Sequence, residues 1–138
     1  PESAGAIIET IEFIPYMSAY QNLADIAAMR GNLSKTQIKE VLEMVGLGNV
    51  GRKHVSKFSM GMRQRLAIAQ AVMESPKLLI LDEPMNGMDE KGVEEMRRLI
   101  LARKAAGTTI ILSSHNIEDI RILCDQVYRI DAGVVMRK

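Results

Sequence analysis

The chain has 138 residues, of which 47% are hydrophobic and 25% charged, and this mix fits one globular domain or a large piece of one. Its 18 Lys and Arg residues nearly balance its 17 Asp and Glu residues, so the formal charge of +1 gives no reason to expect a nucleic-acid partner. The single cysteine, Cys124, excludes an internal disulfide and a cysteine zinc site, and a reducing compartment is the natural expectation.

Two short segments open the chain, an apolar strand at 4–8 and a loop that contains Pro15. Helical signals follow, because Ser18 and Ser34 each precede a glutamine by three positions. This is the capping-box pattern, which predicts the start of a helix. A glycine then ends each of these two predicted helices.

Ser59 opens a third predicted helix, which runs to about Glu74 and is rich in leucine, isoleucine, alanine and methionine. The stretch at 47–58 carries two glycines and several polar residues, and we predict mostly loop there. We therefore expect a strand and loop at 1–17, followed by a helical subdomain at 18–75.

Strand and helix signals alternate over the last part of the chain, at 76–138. The apolar runs at 77–81 and 108–112 predict strands that are buried on both faces. Helical spacing at 89–105 separates them, and a short helix at 116–123 precedes a final strand, turn and strand. This order predicts an α/β fold with a mostly parallel sheet.

Polar residues follow both predicted sheet strands. Asp82 and Glu83 come directly after the first strand, and His115 closes the segment after the second. Ligands bind at the carboxyl ends of strands in open α/β sheets, so we expect these side chains on one edge. One acid can hold a hydrated Mg²⁺ while the other polarises a water. A solvated loop explains Asp82 and Glu83 equally well when this segment is taken alone.

The start of the third helix combines Ser59 with Gly61. The serine is a good N-cap, and the glycine keeps the first helical turn sterically open. A helix start offers unpaired N–H groups and the positive end of the helix dipole, so this segment can bind phosphate. Capping alone is the commoner role of such a serine.

Taken in this order, the three segments resemble the ATP-binding subunits of ABC transporters along nearly the whole chain. Residues 58–64 stand at the signature motif, residues 78–83 resemble the Walker B strand, and residues 86–89 resemble the D-loop. His115 resembles the switch histidine, and residues 5–9 resemble the strand that leads into the Q-loop. The resemblance implies a partial P-loop NTPase core, with a mostly parallel sheet, plus an α-helical signature subdomain.

The resemblance also implies a dimer that binds ATP between its two subunits. Ser59, Met60 and Gly61 would contact the nucleotide across the interface, and Asp89 would help couple the two sites. Met60 stands where the family has a glycine, and Met62 stands where it has a glutamine. Met60 adds bulk where backbone and phosphate approach closely, and Met62 removes a polar contact.

On the catalytic side, the resemblance implies that Asp82 serves Mg²⁺, Glu83 activates the attacking water and His115 senses the γ-phosphate. Glu9 stands where the Q-loop glutamine is usual, and it would contact the nucleotide and approach Mg²⁺ through water. The implied cofactors of the full-length protein are therefore ATP and Mg²⁺.

The P-loop of this family is missing, because no segment matches G-x-x-x-x-G-K-[ST]. In the family that loop precedes the Q-loop. We therefore expect this chain to be the C-terminal part of a longer ATPase subunit and to hydrolyse no ATP by itself.

Residues 5–9 and 15–23 further resemble the ATPases of bacitracin-resistance and lantibiotic-immunity exporters. This implies a subunit that energises transport, with a peptide antibiotic or drug as the exported substrate. A transmembrane permease and a second ATPase subunit would be its partners at the cytoplasmic face of the membrane. The alternative is a soluble ABC-type ATPase that acts on ribosomes or DNA, and association of the full-length protein with a permease distinguishes the two.

Overall fold

The computed structural model describes residues 12–31 and 33–137, and the backbone of residues 4–7. In chain order the elements are β1 (Ala4–Ile7), α1 (Ala19–Arg30), α2 (Lys35–Met44), a 3-10 turn (Val55–Lys57), α3 (Met60–Val72), β2 (Leu78–Asp82), α4 (Glu90–Ala105), β3 (Thr109–Ser113), α5 (Ile117–Leu123), β4 (Tyr128–Asp131) and β5 (Val134–Arg137). None of the helices in these ranges has the length and apolar character needed to cross a bilayer.

Strands β1, β2 and β3 form a parallel sheet with β2 at its centre. β4 and β5 form a separate antiparallel hairpin. Leu79 and Leu81 of β2 are 0% and 1% exposed and belong to the hydrophobic core, together with residues of α1 to α4. The predicted α/β fold, with its parallel sheet and helical segment, is confirmed.

The opposite face of the sheet is open, so the prediction that the strands are buried on both faces is wrong. Ile80 pairs with Ile111 across β2 and β3, and the two side chains stay 40% and 56% exposed. Side chains alternate between the two faces of a strand, and within 12–31 and 33–137 no element covers the face that carries these isoleucines. An apolar strand sequence therefore lies half in the core and half in water.

Serine caps begin the first three helices, as predicted. The hydroxyl oxygens of Ser18, Ser34 and Ser59 each accept a hydrogen bond from the backbone N–H three residues on, at 3.1 Å. At Ser34 the serine N–H donates to Oε1 of Gln37 at 2.8 Å, which completes the predicted capping box. At Ser18 the bonds between described residues include only the serine half of the box.

The loop at 12–18 is fixed to α1 by the buried side chain of Asn22. Its Oδ1 accepts from the Ile14 N–H at 2.7 Å, and its Nδ2 donates to the Ile14 carbonyl at 3.1 Å. The same loop pairs with the segment that enters α3, where the Val55 N–H donates to the Met17 carbonyl at 2.9 Å. The loop is therefore tied both to α1 and to the chain that leads into α3.

A half-buried arginine joins the helical part to the α/β part. Arg65 on α3 donates to the carbonyl of Val45, at the end of α2, at 2.9 Å and to Glu95 Oε2 on α4 at 2.7 Å. Gly46 and Gly92 leave room for its guanidinium, since a Cβ at these positions would lie 2.2 and 2.8 Å from its nitrogens. α3 is therefore held against both neighbouring helices.

Candidate functional site

The carboxyl ends of β2 and β3 bring together three of the predicted site residues. Glu83 Oε1 contacts His115 Nδ1, and Asp82 Oδ1 accepts a hydrogen bond from Ser113 Oγ. The Glu83 N–H donates to the Ser113 carbonyl at 2.9 Å, which continues the strand pairing beyond β2. The expected placement of Asp82, Glu83 and His115 on one edge is confirmed, while their catalytic roles stay predictions.

This edge is open to solvent. The His115 side chain is 99% exposed, and that of Glu83 is 31% exposed. A carboxylate accepts hydrogen bonds, and an imidazole donates or accepts according to its tautomer, so the pair can orient a water or a phosphate oxygen. A ligand can reach both groups without any rearrangement of the fold.

The oxygen ligands at the edge fit Mg²⁺. Asp82 lies on the open face of the sheet beside Ser113, with which it pairs in the register of β2 and β3. Mg²⁺ usually keeps several waters and is held by one or two carboxylates together with the phosphates of its substrate. Asp82 with the adjacent Ser113 hydroxyl offers that kind of donor set, and both residues are exposed to solvent.

Glu83 has a left-handed backbone conformation, with φ +46°, which is rare for a residue other than glycine. Such a conformation costs roughly 1–2 kcal/mol in an L-amino acid. Residues held this way cluster at functional sites. The turn ends β2 and puts the carboxylate beside His115, so the strain lies at the candidate catalytic residue itself.

The start of α3 presents free donors. Ser59 Oγ accepts from the Met62 N–H, and the N–H groups of Met60 and Gly61 meet no acceptor in the described part of the chain. Together with the positive end of the helix dipole, these two groups match the phosphate-binding geometry expected from the sequence. The serine cap is confirmed, and binding of a nucleotide there stays a prediction.

The first turn of α3 contacts the segment at 86–89 of the same chain. A Cβ on Gly87 would lie 2.4 Å from Met60 Sδ, and a Cβ on Gly61 would lie 3.2 Å from the Gly87 carbonyl oxygen. Asp89 caps α4 by accepting from the Gly92 N–H at 2.8 Å. Met60 therefore packs over a glycine, and Asp89 has a structural role besides its predicted coupling role.

We expect Gly87→Ala to destabilise the chain by about 1–2 kcal/mol, because φ is +82° there and a left-handed backbone disfavours a Cβ. The new methyl group also displaces the Met60 side chain. In a Met60→Ala background the second cost vanishes, so the double-mutant cycle should show a coupling of about 0.5 kcal/mol or more. Urea unfolding of the four proteins measures it, and a coupling near zero contradicts the packing described.

Gln64, the last residue of the segment at 58–64 that resembles the signature motif, also reaches the edge, although no role was predicted for its side chain. Its Nε2 donates to the Glu83 carbonyl oxygen at 3.3 Å, across 19 residues of sequence. Gln64 is half-buried on α3, the helix that begins with the free amides. One side chain therefore connects the two parts of the candidate site.

Glu9 lies outside the residues that the structure describes, so its expected contacts with the nucleotide and Mg²⁺ stay predictions. β1, the strand that precedes it, ends at Ile7, which pairs with Leu81. The strand before Glu9 therefore runs toward the same edge of the sheet as Asp82.

Known proteins are similar to this chain in sequence. A family model described as ABC transporter matches residues 2–86. The lantibiotic transport ATP-binding protein SrtF of Streptococcus pyogenes is 42% identical over 96% of this chain and 57% of its own length. The bacitracin transport ATP-binding protein BcrA of Bacillus licheniformis is 45% identical over 97% of this chain and 44% of its own length. The chain thus spans about half the length of these curated relatives.

A solved structure extends the likeness to the fold. The dimeric structure of a bacterial ABC transporter cassette superposes with a TM-score of 0.84 and is 24% identical. The match covers 95% of this chain and 60% of that one. At this level of identity the likeness concerns the arrangement of helices and strands.

Proposed function

Because this chain belongs to the ABC transporter family, we propose that it is the C-terminal part of an ATP-hydrolysing subunit whose P-loop lies in a preceding segment. We call that longer protein the full-length subunit. The observation that carries the proposal is the Glu83–His115 contact beside the Asp82–Ser113 pair on one sheet edge. The sequence contains these proposed catalytic groups but no match to the P-loop pattern.

In the proposed reaction each residue at the edge has one task. Asp82 would hold Mg²⁺, and the ion would supply positive charge opposite the phosphates. Glu83 orients the attacking water and takes its proton as the water oxygen bonds to the γ-phosphorus and the bond to ADP breaks. His115 contacts the γ-phosphate and reports its presence, and the contact with Glu83 keeps the two groups side by side.

The start of α3 is proposed to serve the nucleotide bound by a second subunit. Ser59, Met60 and Gly61 would meet its γ-phosphate, for which the free N–H groups and the helix dipole are suited. Asp89 would couple the two sites, since its segment contacts the first turn of α3. Glu9 would approach Mg²⁺ through a water.

The full-length subunit is proposed to energise the export of a peptide antibiotic or drug. It would do so at the cytoplasmic face of the membrane, with a permease as its partner. The similarity to SrtF and BcrA, whose names refer to lantibiotic and bacitracin transport, supports this choice. A surface for the permease is available on the loop at 12–18, where Tyr16 is 69% exposed. That loop is bonded to the segment that leads into α3, so a partner there has a direct connection to the nucleotide site.

The test compares phosphate release by the purified full-length subunit and by the 138-residue chain, with Mg²⁺-ATP. We expect Mg²⁺-dependent turnover only from the full-length subunit, and co-fractionation of that protein with a multi-span membrane protein. Identically prepared Glu83→Gln protein controls for contaminating ATPases. Robust turnover by the 138-residue chain, or none by the full-length subunit, contradicts the proposal.

A further inference from the structure

Three hydrogen bonds hold the backbone of Glu83, and one of them comes from outside the strand pairing and the turn. Its N–H donates to the Ser113 carbonyl at 2.9 Å, and its carbonyl accepts from the Asn86 N–H at 3.1 Å and from Gln64 Nε2 at 3.3 Å. The first two bonds belong to strand pairing and to the turn itself. The bond from Gln64 is the one that reaches Glu83 from a helix.

A left-handed residue persists only where its surroundings fix it. Glu83 also precedes Pro84, whose ring limits the backbone of the residue before it. A carbonyl oxygen has two lone pairs, and Asn86 and Gln64 together satisfy both. Only the NH₂ group of Gln64 can face the Glu83 carbonyl oxygen, because the side-chain oxygen of Gln64 would repel that oxygen.

Gln64 stands one turn of helix beyond the free amides of Met60 and Gly61, roughly 6 Å along the axis of α3. Arg65, the next residue, fixes this turn of α3 to α2 and α4 through Val45 and Glu95. A shift of α3 relative to β2 therefore changes the Gln64–Glu83 bond before it changes the strand pairing. The Gln64 side chain therefore joins the helix that begins with the free amides directly to the backbone of Glu83.

We infer that Gln64 is a positioning residue, which holds Glu83 in its left-handed conformation and so aims the carboxylate at the attacking water. This inference rests on the proposed ATPase function of the full-length subunit. Gln64 touches neither water nor nucleotide in this role, since it acts through the Glu83 carbonyl. Its contribution depends on a hydrogen-bond donor at that point and not on the volume of the side chain.

The experiment uses three variants of the full-length subunit that separate donor from shape. Gln64→Met keeps the length without a donor, Gln64→Lys keeps a donor, and Gln64→Glu puts an acceptor against the carbonyl. We expect Gln64→Met to lower kcat about tenfold with KM for ATP within about twofold, the loss typical of one positioning hydrogen bond. Gln64→Lys should recover most of the rate, and Gln64→Glu should lose at least as much as Gln64→Met.

Combining Gln64→Met with Glu83→Gln distinguishes a positioning role from a merely structural one. In a Glu83→Gln background, Gln64→Met should leave the residual rate unchanged within about twofold, because a residue that acts through Glu83 has nothing left to position. Gln21→Met, on the exposed surface of α1, is the matched control and should leave kcat as in the wild type. The inference is overturned if Gln64→Met keeps wild-type kcat or slows the Glu83→Gln protein as much as the wild type.

A second measurement keeps the inference separate from the proposed function. In the isotope-labelled 138-residue chain, Gln64→Met should move the ¹³C resonance of the Glu83 carbonyl, while Gln21→Met should not. An unmoved resonance overturns the inference even if the full-length subunit hydrolyses ATP. A moved resonance together with a full-length subunit that lacks turnover upholds the hydrogen bond and sinks the ATPase proposal instead.

Discussion

Glu83→Gln in the full-length subunit is expected to lower the rate of ATP hydrolysis by about 10²–10⁴-fold, the range typical of a general base. The amide has nearly the shape of the carboxylate, but it cannot take a proton from water. The backbone contacts of Glu83 to Ser113, Asn86 and Gln64 do not involve the side chain, so the turn keeps its conformation. Phosphate release at saturating Mg²⁺-ATP measures the effect.

Binding of ATP should survive this substitution, because Asp82 and the start of α3 are unchanged. Glu94→Gln is the matched control, since that side chain is 65% exposed on α4 and its ion pair with Arg98 spans 3.9 Å. The control should hydrolyse ATP at the wild-type rate. A Glu83→Gln rate within about threefold of the wild type would remove Glu83 from the mechanism.

Asp119→Ala should lower the free energy of unfolding by about 3–5 kcal/mol, because it breaks a buried ion pair. This is a larger loss than we expect for Gly87→Ala. The Asp119 side chain is 6% exposed, and its Oδ1 lies 2.8 Å from Nε and 2.6 Å from Nη2 of Arg97 on α4. The Arg97 side chain is only 19% exposed, and removal of the carboxylate leaves its guanidinium without this partner. α5 begins two residues after His115, so we expect a loosened α5 also to weaken the contact of the His115 imidazole with Glu83.

Urea unfolding of the 138-residue chain gives this free energy, with the adjacent residue as control. Glu118 pairs with Arg121 at 3.6 Å, and both side chains are more than half exposed, so Glu118→Ala should cost less than about 1 kcal/mol. Replacing both Arg97 and Asp119 with apolar residues should restore much of the stability. Equal losses for Asp119→Ala and Glu118→Ala would show that burial adds nothing to the pair.

Local signals were enough to predict most of the elements and the edge that carries the site. Three serines cap helices because each hydroxyl accepts a hydrogen bond from the backbone N–H three residues on, namely Ser18, Ser34 and Ser59. Four consecutive residues are therefore enough to predict each cap. Asp82 and His115 share an edge because parallel strands end on the same side of a sheet. Both inferences require only short spacings and one rule of topology.

Burial of the strands was predicted wrongly for a physical reason. The run of leucine and isoleucine in β2 is the same whether one face or both are covered, and the answer depends on which other segments pack there. The contacts of Gln64 with Glu83 and of Arg65 with Glu95 escaped prediction as well. They depend on how α3 crosses the sheet and α4, and periodicity within α3 holds no information about that angle.

The sheet face left open by the described residues alters how the 138-residue chain responds to temperature. The side chains of Ile80 and Ile111 are already 40% and 56% exposed while the chain is folded, so they contribute less new hydration on unfolding than fully buried side chains would. The heat-capacity increment of unfolding is correspondingly smaller than it would be with both faces covered, and the stability curve is flatter. Any surface that later covers the two isoleucines will do so with a negative change in heat capacity, the thermodynamic signature of apolar burial.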